Sequence, residues 1–323
     1  MLLGNVDSLP GAIVVNKGAV GFYQIDDRTH VGQISGAGLL IKYGPGELTL
    51  SGSNTHTGGT AFSGPLRIGS DAALGAAGSP VLLAGGELRI GNDLTLSRPV
   101  LFEGDANTLH TGAFDLHLAV AAGGGGVIRR GAGTLHLNGG QTHAGPTVIA
   151  GGGLKFSGTL HGSLTLGAAS TLHVSVDAGG HADRIDVTGA GSSVTLDGGR
   201  LAVFASDGDY AARTSYTILT APSVTGSFAE VTTDLALLTP AVGIDTDRVM
   251  LVLTRNDVQF ADFAAASDQR GAGHAVDALL QRGGDDAAAI ANAFNTLSVR
   301  EVGHGIGSGY QIEPYAGLAW IGQ

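Results

Sequence analysis

Short apolar or alternating stretches, separated by glycine, asparagine and aspartate turns, run along most of this chain. Examples lie at residues 12–15, 48–50, 94–96 and 164–166. Because successive side chains of a strand point to opposite faces, the leucines of an alternating stretch share one face. The stretches also follow one another too closely for helical crossovers between parallel strands. Residues 2–254 are therefore predicted to form an all-β fold of short strands.

One segment recurs 87 residues further along the chain. GPGELTLSG at residues 44–52 returns as GAGTLHLNG at 131–139, and NTHTGGT at 54–60 returns as QTHAGPT at 141–147. A unit this small buries its apolar face only by stacking on neighbouring units. Short strands also fit a sandwich or a barrel. The internal repeat favours a β-solenoid, with coils of roughly 20 to 25 residues.

After Asn256 the apolar spacing changes from strand-like to helix-like. This spacing predicts an α-helical segment that glycines at 283–284 divide in two, with Asp285 or Asp286 as the cap of the second piece. YQIEPYAGLAWI at 310–321 again predicts a strand region. The apolar residues that recur three or four positions apart are Phe260, Phe263, Ala264, Val276, Leu279, Leu280, Ile290, Phe294 and Leu297.

The amino-acid composition indicates a folded chain and excludes some classes of partner and of catalytic chemistry. Glycine contributes 55 of the 323 residues and hydrophobic residues 43%, which predicts a folded chain with frequent turns. The net charge is −11, and lysine occurs only as Lys17, Lys42 and Lys155, so we expect no nucleic-acid partner. The absence of cysteine excludes disulfides and thiol catalysis.

The first residues, MLLGNVDSLPGAIVV, contain neither the basic segment nor the apolar run of a secretory signal peptide. No stretch approaches the ~20 apolar residues of a membrane-spanning helix. Because the chain opens within a strand pattern, we expect the upstream part of a longer protein to be missing.

The 11 histidines form no metal-binding motif of the His-Glu-x-x-His type. His56 and His143 are repeat equivalents, and we expect their rings to stack along the repeat or to face solvent. Glu301 and His304 lie three positions apart in a glycine-rich tail, which is a weak arrangement for a metal. The sequence therefore predicts no metal-binding residue and no cofactor.

A carbohydrate-active enzyme on a β-helix would need carboxylates that converge on one face. Asp183, Asp186 and Asp197 form the densest set, but aspartates at the turns of a solenoid give the same pattern, and we favour turns. The chain has no Gly-x-Ser-x-Gly or Arg-Gly-Asp motif, and no Lys-Ser/Thr pair follows the glycines at 123–126. No catalytic or cofactor-binding residue is predicted.

The repeat resembles the passenger-associated strand repeat of bacterial autotransporters. That repeat combines a Gly-x-Gly turn, a Thr-Leu-x-Leu strand and an Asn-Thr-Tyr-x-Gly-x-Thr segment, and His56 and His143 stand where its tyrosine is usual. Residues 207–228 and 235–264 resemble the autochaperone end of a pertactin-type passenger and its junction with the translocator. They carry the succession Tyr-Thr-Ile-Leu-Thr-Ala, Leu-Thr-Pro and Thr-Arg-Asn-Asp. Residues 310–321 resemble one strand region of the translocator barrel, most of which is missing.

The resemblance implies a right-handed parallel β-helix with a short α-helical linker near its C-terminus. It divides the chain into a stalk with strand repeats (1–152), a cap or autochaperone region (153–256), a helical linker (257–297) and a remnant of the translocator β-barrel (298–323). We expect the cap's core to contain Tyr216, Ile218, Leu219, Val224, Phe228, Val231, Leu237, Leu238, Val249, Leu251 and Leu253.

The implied function is that of a non-catalytic passenger fragment that supports secretion and display. Its expected location is the outer membrane or cell surface of a Gram-negative bacterium. An adhesin that binds host or matrix surfaces is an alternative, and a carbohydrate-active β-helix enzyme is a second one. The expected partners are the outer membrane and, for an adhesin, a host-surface ligand, with no small-molecule substrate identified.

Overall fold

The computed structural model describes residues 2–9, 11–104, 106–138, 141–206, 208, 210–233, 235, 237–256, 258–259, 262, 270 and 273–278. A 3-10 turn spans Asp71–Leu74, and a short helix occupies 273–278. The strands, in chain order, are β1 (Leu2–Gly4), β2 (Ile13–Val14), β3 (Ala19–Tyr23), β4 (Arg28–His30), β5 (Ile34–Ser35), β6 (Leu39–Tyr43), β7 (Leu48–Leu50), β8 (Thr60–Phe62), β9 (Pro65–Ile68), β10 (Val81–Ala84), β11 (Glu87–Ile90), β12 (Leu94–Glu103), β13 (Asn107–His110), β14 (Leu116–Ala122), β15 (Val127–Arg130), β16 (Thr134–Leu137), β17 (Thr147–Phe156), β18 (Gly158–Leu160), β19 (Leu164–Val176), β20 (Ile185–Val187), β21 (Val194–Asp197), β22 (Arg200–Ala205), β23 (Arg213–Thr220), β24 (Val224–Ser227), β25 (Glu230–Thr233), β26 (Leu238–Ile244) and β27 (Arg248–Arg255).

Parallel pairing between successive coils stacks these strands into three faces. Sheet I contains β1, β3, β6, β8, β10, β18, β20, β23 and the second parts of β12 and β14. Sheet II contains β4, β7, β9, β11, β13, β15, β21, β24 and the first parts of β17 and β19. Sheet III contains β2, β5, β16, β22, β25, the first parts of β12 and β14 and the second parts of β17 and β19.

The core is a column of apolar side chains inside the coils. Along most strands buried and outward positions alternate, as in the buried, half-buried, buried pattern of β7. Residues that are register partners in adjacent coils therefore stack on one another in the interior. One such column on sheet III consists of leucines that are each at most 1% exposed: Leu116, Leu135, Leu154, Leu172 and Leu201.

The two copies of the internal repeat lie on different faces of the solenoid. Strand β7 of the first copy belongs to sheet II, whereas its equivalent β16 belongs to sheet III. The reason is the coil length: four register steps carry sheet II from Leu48 only as far as Arg129, so Leu135 falls on the next face. The repeat thus encodes a strand followed by a turn, but it does not determine on which of the three sheets that strand lies.

The predicted parallel β-helix is confirmed. The helical linker predicted for 257–297 is described only in part, as the helix at 273–278, and the predicted barrel remnant at 298–323 lies outside the described residues. Among the described residues, none of the helices combines the length and apolar character needed to cross a membrane.

We expect Leu50→Asp to destabilise the coils around β7 strongly, because Leu50 is 1% exposed and the new carboxylate would lie in the apolar column. The loss in free energy of unfolding should be at least about 3 kcal/mol, measured by urea denaturation. Thr49→Asp is the matched control, since Thr49 points outward and is only half-buried. Equal losses at both positions would contradict a strand that is buried on one face.

Candidate functional site

The polar residues of the first repeat copy form a buried corner between sheets III and I. The Asn54 side chain accepts a hydrogen bond from the Ile34 amide (2.7 Å) and donates one to the Ala73 carbonyl (2.6 Å). His56 Nε2 lies 3.0 Å from the Thr60 hydroxyl oxygen. Because that hydroxyl donates its own hydrogen to the Leu74 carbonyl (3.0 Å), Nε2–H is the donor to Thr60.

The second copy builds the same corner between sheets I and II. Gln141 accepts from the Ala121 amide (3.0 Å) and donates to the Asn138 carbonyl. His143 Nε2 lies 2.7 Å from the Thr147 hydroxyl, and its ring makes an edge contact with Phe102 at a centroid distance of 5.7 Å. The amide, the imidazole and the hydroxyl recur together, so the motif encodes a hydrogen-bonded turn of the solenoid wall.

The expectation that His56 and His143 stack along the repeat or face solvent is therefore wrong. Both side chains are buried, at 0% and 2% exposure. Burial lowers the pKa of each, because the imidazolium would lose its hydration, and His161 adds a smaller repulsion at His143. The spacing of four residues between each histidine and a threonine was the sequence signal for this pairing.

Three buried cations, which the sequence analysis did not identify, bind carbonyl groups at other turns. Lys42 is fully buried between its register partners Phe22 and Phe62 and donates to the Gly44 carbonyl. Burial lowers the pKa of Lys42 to about 8. Arg129 donates to the carbonyls of glycines 131, 133 and 151, and burial lowers its pKa to about 10.

Arg98 binds the turn that connects the 3-10 turn at Asp71–Leu74 with β10. Its guanidinium pairs with both carboxylate oxygens of Asp71 (2.6 and 3.0 Å) and donates to the carbonyls of Leu74, Ala76 and Ser79 (3.1 to 3.2 Å). A planar guanidinium with five donors suits such a ring of acceptors. The inward position of each cation in an alternating stretch was the only sequence signal for burial.

The C-terminal end of the solenoid differs from its body because its last strands pair antiparallel. Strand β23, the final parallel strand of sheet I, pairs with β27, and β27 pairs with β26 to form a hairpin. The loop of this hairpin reaches the corner beyond β23, where Ala221 donates to the Asp247 carbonyl (2.9 Å). The hydroxyl of Tyr216 anchors β23 to the preceding coil through the Asp177 carbonyl (2.8 Å).

The hairpin buries most of the residues predicted for the cap's core. Phe228 and Val231 are only partly buried and pack against that core. Together with the hairpin, these residues form a compact end to the rod. The buried members of the predicted set are Tyr216, Ile218, Leu219, Val224, Leu237, Leu238, Val249, Leu251 and Leu253.

The outer surface of sheet III carries a row of basic side chains, defined here as His117, His136, Lys155 and His173. They are register partners on four successive coils. The rings of His117 and His136 stack at a centroid distance of 4.0 Å with an interplanar angle of 12°. No local sequence pattern marks this row, because its members lie 18 to 19 positions apart and come together only when the coils stack.

The aspartates weighed as candidate catalytic residues lie on separate elements. Asp183 accepts from the Ser175 amide (2.9 Å), and Asp186 on β20 accepts from Arg184 (2.7 Å) and from Thr220. Asp197 ends β21 on sheet II. Among the described residues, no group of three or more histidines and carboxylates is arranged to hold a metal ion. Glu301 and His304 lie outside the described residues.

Comparison with known proteins finds similar repeats in autotransporters. The model of the passenger-associated transport repeat matches residues 40–64 and 127–156, which contain both repeat strands. The adhesin BmaC autotransporter of Brucella suis is 38% identical over 144 residues, which cover 43% of this chain. The chain spans only 4% of that adhesin's length. The resemblance of the repeats and of the solenoid to a pertactin-like autotransporter passenger is thereby confirmed.

We expect acid to weaken the solenoid through its buried histidines. The folded-state pKa of His143 lies below the ordinary value near 6.5, so below about pH 6.5 the unfolded chain takes up a proton that the folded chain does not. The free energy of unfolding should therefore fall as pH falls, by at most about 1.4 kcal/mol per pH unit for each such histidine.

His143→Gln keeps an N–H donor in the side chain and removes the imidazole that takes up the proton. Urea denaturation between about pH 7.5 and 5.5 should show a shallower pH dependence in this variant than in the wild type. His110→Gln, on the outward side of β13, is the control and should leave the dependence unchanged. An identical slope in His143→Gln and the wild type would contradict burial of a neutral imidazole.

Lys42 should make the free energy of unfolding depend on pH in a second range, at alkaline pH. Between about pH 8 and pH 10.5 the folded chain releases a proton that the unfolded chain still holds, so stability should rise with pH there. We expect the wild type to gain roughly 1 to 3 kcal/mol relative to Lys42→Met across this range. Lys155→Met, the same change at an exposed lysine, should show no such gain. Parallel stability curves for Lys42→Met and the wild type would refute the effect.

Proposed function

We propose that this chain, whose repeats and solenoid fit the passenger region of a pertactin-like autotransporter, is a non-catalytic stalk that ends in an autochaperone cap. Residues 1–152 are the stalk and 153–256 the cap, followed by a helical linker (257–297) and part of the translocator (298–323). The observation that carries this proposal is the change from parallel to antiparallel pairing at β23.

An unpaired sheet edge exposes a row of amide and carbonyl groups, and the last coil of a solenoid always has one. At sheet I the hairpin of β26 and β27 covers that edge. The hairpin is local in sequence, so its closure entropy is small and it forms without waiting for distant coils. A preformed end of this kind supplies the template on which upstream coils add one after another.

The side chains of the described residues support a structural role. The buried cations and both buried histidines satisfy turn carbonyls or threonine hydroxyls. Of the aspartates considered for catalysis, Asp183 binds a backbone amide and Asp186 binds neighbouring polar side chains. This use of the polar groups favours a rod over a carbohydrate-active enzyme. By analogy with the similar adhesin, the rod is displayed at the outer membrane or cell surface of a Gram-negative bacterium.

A second candidate function is adhesion to a host or matrix surface. The 38% identity with part of an autotransporter adhesin favours it, and that match covers 43% of this chain. Adhesion and the stalk role are compatible, because the outward positions of a solenoid are free to bind while the inward positions hold the fold.

We expect limited proteolysis of the whole chain to leave a fragment that starts near residue 153 and ends near residue 255. In Leu251→Asp, a carboxylate in the hairpin core should abolish that fragment and slow refolding of the upstream coils, measured by hydrogen exchange. Thr254→Asp, on the exposed side of β27, is the control and should preserve it. Survival of an N-terminal fragment instead would refute the autochaperone role.

A further inference from the structure

The basic row on sheet III is aligned along the rod axis. Coils of a parallel sheet stack about 4.8 Å apart, so four register partners span about 14 Å. His117, His136 and His173 are half-buried with their rings against the sheet, and Lys155 is exposed. The row is thus one residue wide and evenly spaced along the outer face of the sheet.

Neighbouring residues hold the row in this alignment. His173 Nε2 lies over Gly153, so close that a β-carbon there would stand 2.8 Å from it. The ring of His173 also stacks on Phe204, which is 45% exposed, with an interplanar angle of 13°. The positions beside the row carry hydroxyls or no side chain, as at Thr134, Gly153 and Thr171.

The charges that face the row are few. Asp115 lies beside His136 (3.8 Å), and its other oxygen accepts from the Thr134 amide. Asp93, one coil earlier, accepts a hydrogen bond from the Asp115 amide (2.9 Å). On the far side, Arg200 and Glu230 neutralise each other (2.8 Å). The fixed charges nearest the row are therefore one cation, Lys155, and one carboxylate, Asp115.

Mild acid changes this balance. Burial, and after it the nearby His117, lowers the pKa of His136, and burial and then Lys155 lower that of His173. Each protonation places a cation beside other cations, which an anion lying along the row would relieve. A bound polyanion would therefore raise these pKa values, and protonation would strengthen its binding by the same linkage.

We propose that this row binds a linear acidic polysaccharide along the rod axis, and that it binds more tightly in mild acid. Sulfate or carboxylate groups on successive sugars would meet the evenly spaced cations, and the flanking threonine hydroxyls would hydrogen-bond the sugar hydroxyls. A membrane surface fits less well, because the flanks of the row are mostly not apolar. The proposal goes beyond the stalk role and requires only that sheet III face solvent.

The test measures binding of heparin, a linear sulfated polysaccharide, to the whole purified chain by calorimetry at about pH 6 and about pH 7.5, with circular dichroism to verify the fold at both. We expect affinity to rise about tenfold at the lower pH, since several positive charges are added along one row. The double variant His117→Gln/His136→Gln should lose most of this rise. Lys155→Gln should weaken binding at both pH values.

His161→Gln, at an exposed turn between sheets I and II, is the matched control and should bind like the wild type. In NMR titrations at fixed salt, heparin should raise the pKa of His136 and of His173. An undiminished pH effect in the double variant, or no binding at either pH, would overturn the proposal. Equal binding of duplex DNA would overturn the polysaccharide assignment. Because these experiments use the intact folded chain, their failure would leave the cap's protease resistance, and hence the stalk role, untouched.

Discussion

Parallel backbone pairing joins each coil of this chain to the coil before it and the coil after it. In-register stacking is therefore the constraint on which the remaining structure depends, because a single coil has neither a paired backbone nor a closed core. It turns alternation along one strand into continuous columns, such as the leucines from Leu116 to Leu201 inside and the basic row outside. One mechanism thus generates both the core and the surface.

Stacking also determines where polar groups are buried. Each coil must turn between faces, and the carbonyls released at those turns lie at the edge of the core without water. The chain meets this requirement with Lys42, Arg98 and Arg129, and with the histidine corners at His56 and His143. These residues resemble candidate catalytic groups by type, yet their hydrogen bonds go to the solenoid's own turns. Burial lowers the pKa values of Lys42, Arg129, His56 and His143, which couples stability to pH.

The end of the stack leaves the backbone amides and carbonyls of the last coil unpaired, and such an edge can pair with another chain. Here the hairpin of β26 and β27 replaces a further parallel coil on sheet I. A segment that is local in sequence and buries Leu251 and Leu253 can fold first. In the proposed function, this end folds first and serves as the template for the upstream coils, which supports secretion. The outward rows remain available for contact with other molecules.

Much of this architecture follows from the sequence alone. Alternation at Leu48–Leu50 predicts one buried face, and the internal repeat predicts stacking. The apolar residues from Tyr216 to Leu253 predict a core at the cap. All three patterns can be recognised because they depend on residues that are near neighbours along the chain. Which residues meet across coils depends on coil length, which varies, so the face of each repeat copy and the basic row from His117 to His173 emerge only in the tertiary structure. Burial of His56 was missed for the same reason: its surroundings come from the adjacent coils, whose register local sequence does not encode.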